Sequence, residues 1–163
     1  MSKKISKTRV IRHADTEKEW SAPRGEGHVQ AISNHIEKHI GQIDRVYHEL
    51  RSDAVHVDIH HVPPCKDRPL HSLITSGMSD LAMKVPDESQ HSQYLELMVS
   101  LPEHWIVDDA FFEGETQHWL IHQLIFLARF PHKNTTWLGR GHTIPNGDPA
   151  EPRRGFFSFS HGF

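Results

Sequence analysis

The chain has 163 residues, 21 acidic against 18 basic side chains, a formal net charge of −3 and 36% hydrophobic residues. That length suits a single domain with one main core, and the polar balance excludes membrane-embedded and disordered classes. With no net positive field to hold phosphates, nucleic acid is not an expected partner, and no apolar run approaches the ~20 residues that a bilayer span needs.

Two residue types stand out. There are 16 histidines, and protonating half of them would carry the formal charge from −3 to about +5, so binding and solubility should respond to mild acid. The one cysteine, Cys65, cannot form an internal disulfide, and no apolar signal core follows Met1-Ser-Lys-Lys4, which together suit a cytoplasmic protein. Cys65 follows Pro63-Pro64 and has no readable catalytic partners, so it reads as a turn residue.

Residues 1–25 are polar, mixed in charge and without sustained period, and read as a flexible arm closed by Pro23 and Gly25. From His28 to Ile40, the residues Val29, Ile32, Ile36 and Ile40 recur at helical spacing. They predict a surface helix stopped by Gly41 in a left-handed cap, with His35, Glu37 and Lys38 facing water. Val46 to Leu50 reads as a short strand and Ser52-Asp53 as a turn.

In Val55 to Val62, alternation sends Val55, Val57 and Ile59 to one side, read as core, and His56, Asp58 and His60 to the other, read as a polar and usable face. Pro63-Pro64 ends that strand. Leu70 to Ser76 is a further strand, broken at Gly77 and followed by a polar loop. Tyr94 to Leu101 alternates most clearly, with Leu95, Leu97, Val99 and Leu101 on one side and Pro102 as its end. Thr116 to Phe130 predicts a core helix through Leu120, Leu124 and Leu127, with Pro131 as its stop. The fold class is α+β: a largely antiparallel or mixed sheet packed against two main helices in one domain.

His56, Asp58 and His60 are the best metal candidates, because the strand projects two imidazoles and a carboxylate to one side. Same-face neighbours lie ~6.5–7 Å apart, so the competing reading is a hydrogen-bonded polar face that binds no metal. Ser76-Gly-Met-Ser-Asp80 lacks the second glycine of a nucleophile elbow, and Ser79 or Asp80 is expected to satisfy loose backbone donors there. Gly139-Arg-Gly-His142 has no following Lys-Ser/Thr and runs into a turn, so phosphate binding is not expected. Trp137, Arg140 and His142 form a candidate partner-facing patch, since Trp and Arg are enriched at binding hot spots.

Three stretches in order carry a resemblance: His48-Glu49 with Val55-His-Val-Asp-Ile59, Thr75-Ser-Gly-Met-Ser-Asp80, and Leu127-Ala-Arg-Phe-Pro-His132 continuing through Trp137 to Gly147. Over roughly His28 to Gly147 the chain resembles the suppressor of fused family. The resemblance implies an α+β interaction domain without established catalytic activity or cofactor, over residues 26–147. In animals such a domain is joined to a second, and the two clamp a peptide as an added strand; this chain has room for the first domain alone. Bacterial stand-alone members are read as immunity proteins that bind toxins, so the resemblance implies a protein partner and, for an immunity protein, a cognate toxin.

The candidate partner-binding residues are then His56, Asp58, His60, Asp80, Trp137, Arg140 and His142, with no catalytic residue and no cofactor. The rival reading is a metal-dependent hydrolase using His56, Asp58 and His60. Residues 148–163 depart from the family pattern and read as a divergent or truncated tail. If strands are missing there, an exposed sheet edge favours a homodimer that buries Phe156, Phe157, Phe159 and Phe163.

Overall fold

A computed structural model describes residues 26–49, 54–87, 92–108 and 118–145. The N-terminal arm, the Ser52-Asp53 turn, Phe111-Phe112 and the tail lie outside the described residues. Helix α1 (Glu26–His39) is followed by strands β1 (Arg45–Tyr47), β2 (Asp58–Val62), β3 (Leu70–Ser76) and β4 (Met98–Pro102), then helix α2 (His118–Lys133). A short 3-10 turn, Met78–Asp80, follows β3. The strands form one antiparallel sheet in the order β1-β2-β3-β4.

Register fixes which side chains share a face. Tyr47, Ile59, Thr75, Leu73, Val99 and Leu101 fall on one side. Ile59, Leu73 and Leu101 form a buried core there with Leu120, Ile121 and Leu124 of α2. Val46, Asp58, His60, Val62, Ser72 and Ile74 fall on the other side, where Val62 and Ile74 pack with Ile36 of α1 and with Ile32, Ile40 and Ile43. The molecule is therefore an α+β domain with one helix on each face of an antiparallel sheet. A third cluster, Val55, Val57, Met78, Met83, Val85 and Ala128, closes the end of the sheet where β2 begins and β3 stops.

That double covering corrects one expectation. The polar side of β2 does not face water: Asp58 is 4% exposed beneath His48 and His56, and His60 is 1% exposed beside Val62 and Ile74, on which α1 packs. Val55, Val57 and Ile59 are core as alternation predicts.

Two boundaries differ from the sequence reading for identifiable reasons. Gly41 ends α1 with φ +155°, well away from the left-handed cap near +57°. A Cβ there would sit 3.0 Å from Val62 Cγ1, so the glycine serves the close approach of α1 to β2. Pro131 is buried within the last turn of α2 instead of stopping it, since a proline so near the end forfeits a single helical hydrogen bond. Closure comes at Thr135, with φ +49°, while the Asn134 side chain donates to the Phe130 carbonyl at 2.9 Å. Cys65 is exposed in the β2–β3 turn, exchanging backbone hydrogen bonds with Arg68 at 2.9 and 3.0 Å.

Candidate functional site

The polar residues singled out by sequence meet at the sheet end where β2 starts. Asp58, first in β2, is buried, and its carboxylate lies 3.0 Å from His48 Nδ1, 3.0 Å from His56 Nε2 and 3.2 Å from the Glu49 amide, which donates to it. Both imidazoles thus turn a nitrogen toward the same carboxylate. His60 points elsewhere, with Nε2 2.8 Å from Ser76 Oγ and with Nδ1 lacking a partner. Burial lowers its pKa, opposed by the Asp58 charge. The pair imitates a base next to a nucleophile. Both side chains are 1% exposed, however, and among the described residues no carboxylate hydrogen-bonds the imidazole as a third member would.

Glu49 faces the same junction. Its carboxylate pairs with the Arg129 guanidinium of α2 and accepts the Val57 amide at 3.3 Å, while Arg129 Nε donates to the Val55 carbonyl at 3.2 Å. Burial raises the Glu49 pKa, and the Arg129 charge opposes that rise. Further along α2, His132 Nε2 lies 3.0 Å from the Met78 carbonyl, and burial lowers its pKa as well.

The Ser-Gly-Met-Ser-Asp segment wraps around a residue that alternation left unremarked. Glu96 accepts hydrogen bonds from Thr75 Oγ1 at 2.7 Å, the Gly77 amide at 3.0 Å, the Ser79 amide at 2.9 Å and Ser79 Oγ at 2.6 Å. The loop donors are therefore satisfied by a carboxylate from across the sheet, and not by Ser79 or Asp80 as expected. Asp80 lies 3.2 Å from His28 Nδ1 of α1. Gly77, at φ +104°, passes so close to the 55–58 segment that an added Cβ would lie 1.9 Å from the His56 carbonyl oxygen.

The three stretches singled out in the sequence are thus bonded to one another: Arg129 to Glu49 and Val55, His132 to Met78, Gly77 against His56. A model of the family described as Suppressor of fused protein matches residues 53–160, about two thirds of the chain. The chain belongs to the suppressor of fused family. The match reaches beyond Gly147, where the resemblance read from motifs ended, and starts later than His28. Neither a curated protein nor a solved structure shows significant similarity to it. A suppressor of fused domain is a protein-interaction module, and a protein partner follows at that level. In this suppressor of fused domain the signature residues hold two strands, a loop and a helix together.

No group of three or more His, Cys, Asp or Glu is arranged to hold a metal ion among the described residues, and the hydrolase reading of His56, Asp58 and His60 finds no support. No helix among the described residues is long and apolar enough to cross a membrane.

Trp137, Arg140 and His142 lie apart from this junction. Trp137 packs against the third cluster, and the His142 ring meets it edge-on at 5.2 Å. Gly139 to His142 forms a turn closed by the His142 amide donating to Gly139 at 3.1 Å, with Gly141 at φ +86°. Arg140 and His142, with Leu95, Leu97, Leu127, Leu138 and Ile144, line an open groove of about 500 Å³ between the approach to β4, the middle of α2 and this turn. Arg140 is exposed and has no hydrogen-bond or ion-pair partner among the described residues. Of the candidate residues, then, His56, Asp58 and Asp80 are locked into the fold, His60 is sealed inside it, and Arg140 and His142 border an open surface.

Proposed function

We propose that the protein is a non-catalytic binding domain whose partner is another protein, most concretely a cytoplasmic immunity protein that covers the active surface of a cognate toxin. One observation supports this above the others. The side chains with chemical potential, His48, Glu49, His56, Asp58, His60 and Glu96, are bonded to neighbours within the fold, whereas the open groove beside α2 sets five aliphatic side chains beside Gln123, His142 and the bonded Glu96, with the Arg140 cation at its rim. Catalysis needs a reactive group within reach of substrate; adhesion needs apolar area and a few unsatisfied polar groups. Family membership agrees with the second requirement.

The test is co-purification of the tagged full chain from its native cell, followed by co-expression with the recovered partner. Recovery of a protein whose toxicity is relieved by this chain is expected. Recovery of a protein that is harmless alone would sink the immunity reading and leave the binding reading.

Self-association is a second reading, favoured by the edge position of β4 among the described strands and by Met98, 58% exposed, Tyr94, 54%, and Leu70, 38%, on or beside it. Light scattering at high concentration decides it, with a monodisperse monomer as the refuting result.

A further inference from the structure

We propose that the groove beside Arg140 receives an acidic, aliphatic segment of the protein partner, with Arg140 as the anchor for a carboxylate of that segment. This rests on the reading of the chain as a protein-binding domain and adds the chemistry of what it binds.

The lining sets the first half of that chemistry. Leu95, Leu97, Leu127, Leu138 and Ile144 come from three separate parts of the chain and present only aliphatic surface. Water against such a surface is displaced favourably by apolar side chains, and a groove of this size suits several of them. The rim sets the second half. Arg140 carries a fork of donors that matches a carboxylate in two parallel hydrogen bonds, and nothing among the described residues occupies it. An ion pair formed next to an apolar wall is screened less than one on open surface, so it selects for an acid more sharply.

The acid already present does not serve. Glu96 also lines the groove, but its oxygens accept four hydrogen bonds from residues 75–79, and no ion pair links it to Arg140. A second groove, lined by Glu49, Phe126, Arg129 and Phe130, makes the contrast clear, because there the guanidinium of Arg129 is already paired with Glu49. With a chain charge of −3, attraction of an acidic segment is local to Arg140 and gains nothing from long-range steering.

The experiment is selection of phage-displayed random peptides on the immobilised full chain, followed by fluorescence anisotropy with the most enriched peptide. Selected peptides should share an Asp or Glu beside Leu, Ile or Val. Arg140→Ala should weaken the best of them about tenfold, in line with loss of a charged hydrogen-bonding partner, and Arg140→Lys less. Ile144→Asp should abolish binding, and Lys84→Ala, an exposed control, should leave it unchanged. Circular dichroism checks that each variant is folded, and the exposed Arg140 keeps the test decisive if Ile144→Asp is not.

Enriched peptides without an acid, or binding indifferent to Arg140→Ala, would overturn the proposal, as would a dimer of the full chain that Arg140→Glu disperses. A native partner insensitive to Arg140→Glu sinks this inference while the binding reading stands. Acidic peptides that bind through Arg140 support the inference even where the partner recovered from the native cell is harmless, a result that sinks the immunity reading alone.

Discussion

The junction at the start of β2 and the groove beside the middle of α2 differ in the state of their polar groups. At the junction, His48, His56 and the Glu49 amide surround Asp58, Glu49 meets Arg129, and Glu96 gathers four donors. At the groove, Arg140 extends from a turn with no such partner. The junction holds the larger share of residue types associated with catalysis, yet each already has a partner within the fold. Residue type proposes a site; whether its hydrogen bonds are already made decides.

That contrast is open to attack from the junction side first. Gly77→Ala forces a Cβ into the His56 carbonyl at a positive φ, and should cost at least about 3 kcal/mol in urea unfolding, enough to threaten folding. A variant as stable as the original would mean that the loop does not bind the sheet end tightly. Glu96→Gln follows, replacing an acceptor of four hydrogen bonds by a group with one acceptor oxygen; about 2–4 kcal/mol should be lost. An unchanged midpoint would show the four donors finding water equally well.

Acid probes the sealed histidines. His60 and His61 are 1% and 2% exposed, and burial holds both below the ordinary value of 6.5, with Asp58 and Asp44 respectively opposing the shift. The unfolded chain therefore takes up protons that the folded chain refuses. Stability is at full value above pH ~6.5 and should fall as pH drops toward the folded pKa values, by at most about 1.4 kcal/mol per pH unit for each histidine. Unfolding midpoints measured from pH 8 to 5 check this, and a curve that is flat or rises toward acid would contradict the burial. Smallest of all, Arg140→Ala should change stability by less than about 0.5 kcal/mol, because the side chain supports nothing in the fold. A larger loss would place Arg140 among the structural residues and erase the contrast.

Much of this arrangement is legible in the sequence. Period-two alternation places Val55, Val57 and Ile59, and later Leu97, Val99 and Leu101, in the core, and Leu70 to Ser76 has the observed strand bounds. Period, however, says which residues share a face and is silent on what covers it. His60 on a polar row reads as accessible until α1 is known to lie above it. Glu96 was missed for a related reason: in an alternating strand it looks like one more solvated acid, and its four donors come from residues 17–21 positions away in the chain. Pro131 misled because a proline marks a helix end only to within a turn. For the groove, Arg140 and His142 were visible as residue types, while Leu95, Leu97 and Ile144 joined them through folding alone.

The placement of α1 has one further consequence. Ile32 and Ile36, with Ile40 just past its end, and the His28–Asp80 contact tie this helix to the rest, so it is the lighter of the two outer layers. A partial opening that lifts α1 would hydrate His60 while the α2 side stays shut. Amide hydrogen exchange in β2 should then accelerate together with that of α1 in mild acid, ahead of α2, as a cooperative unit of its own.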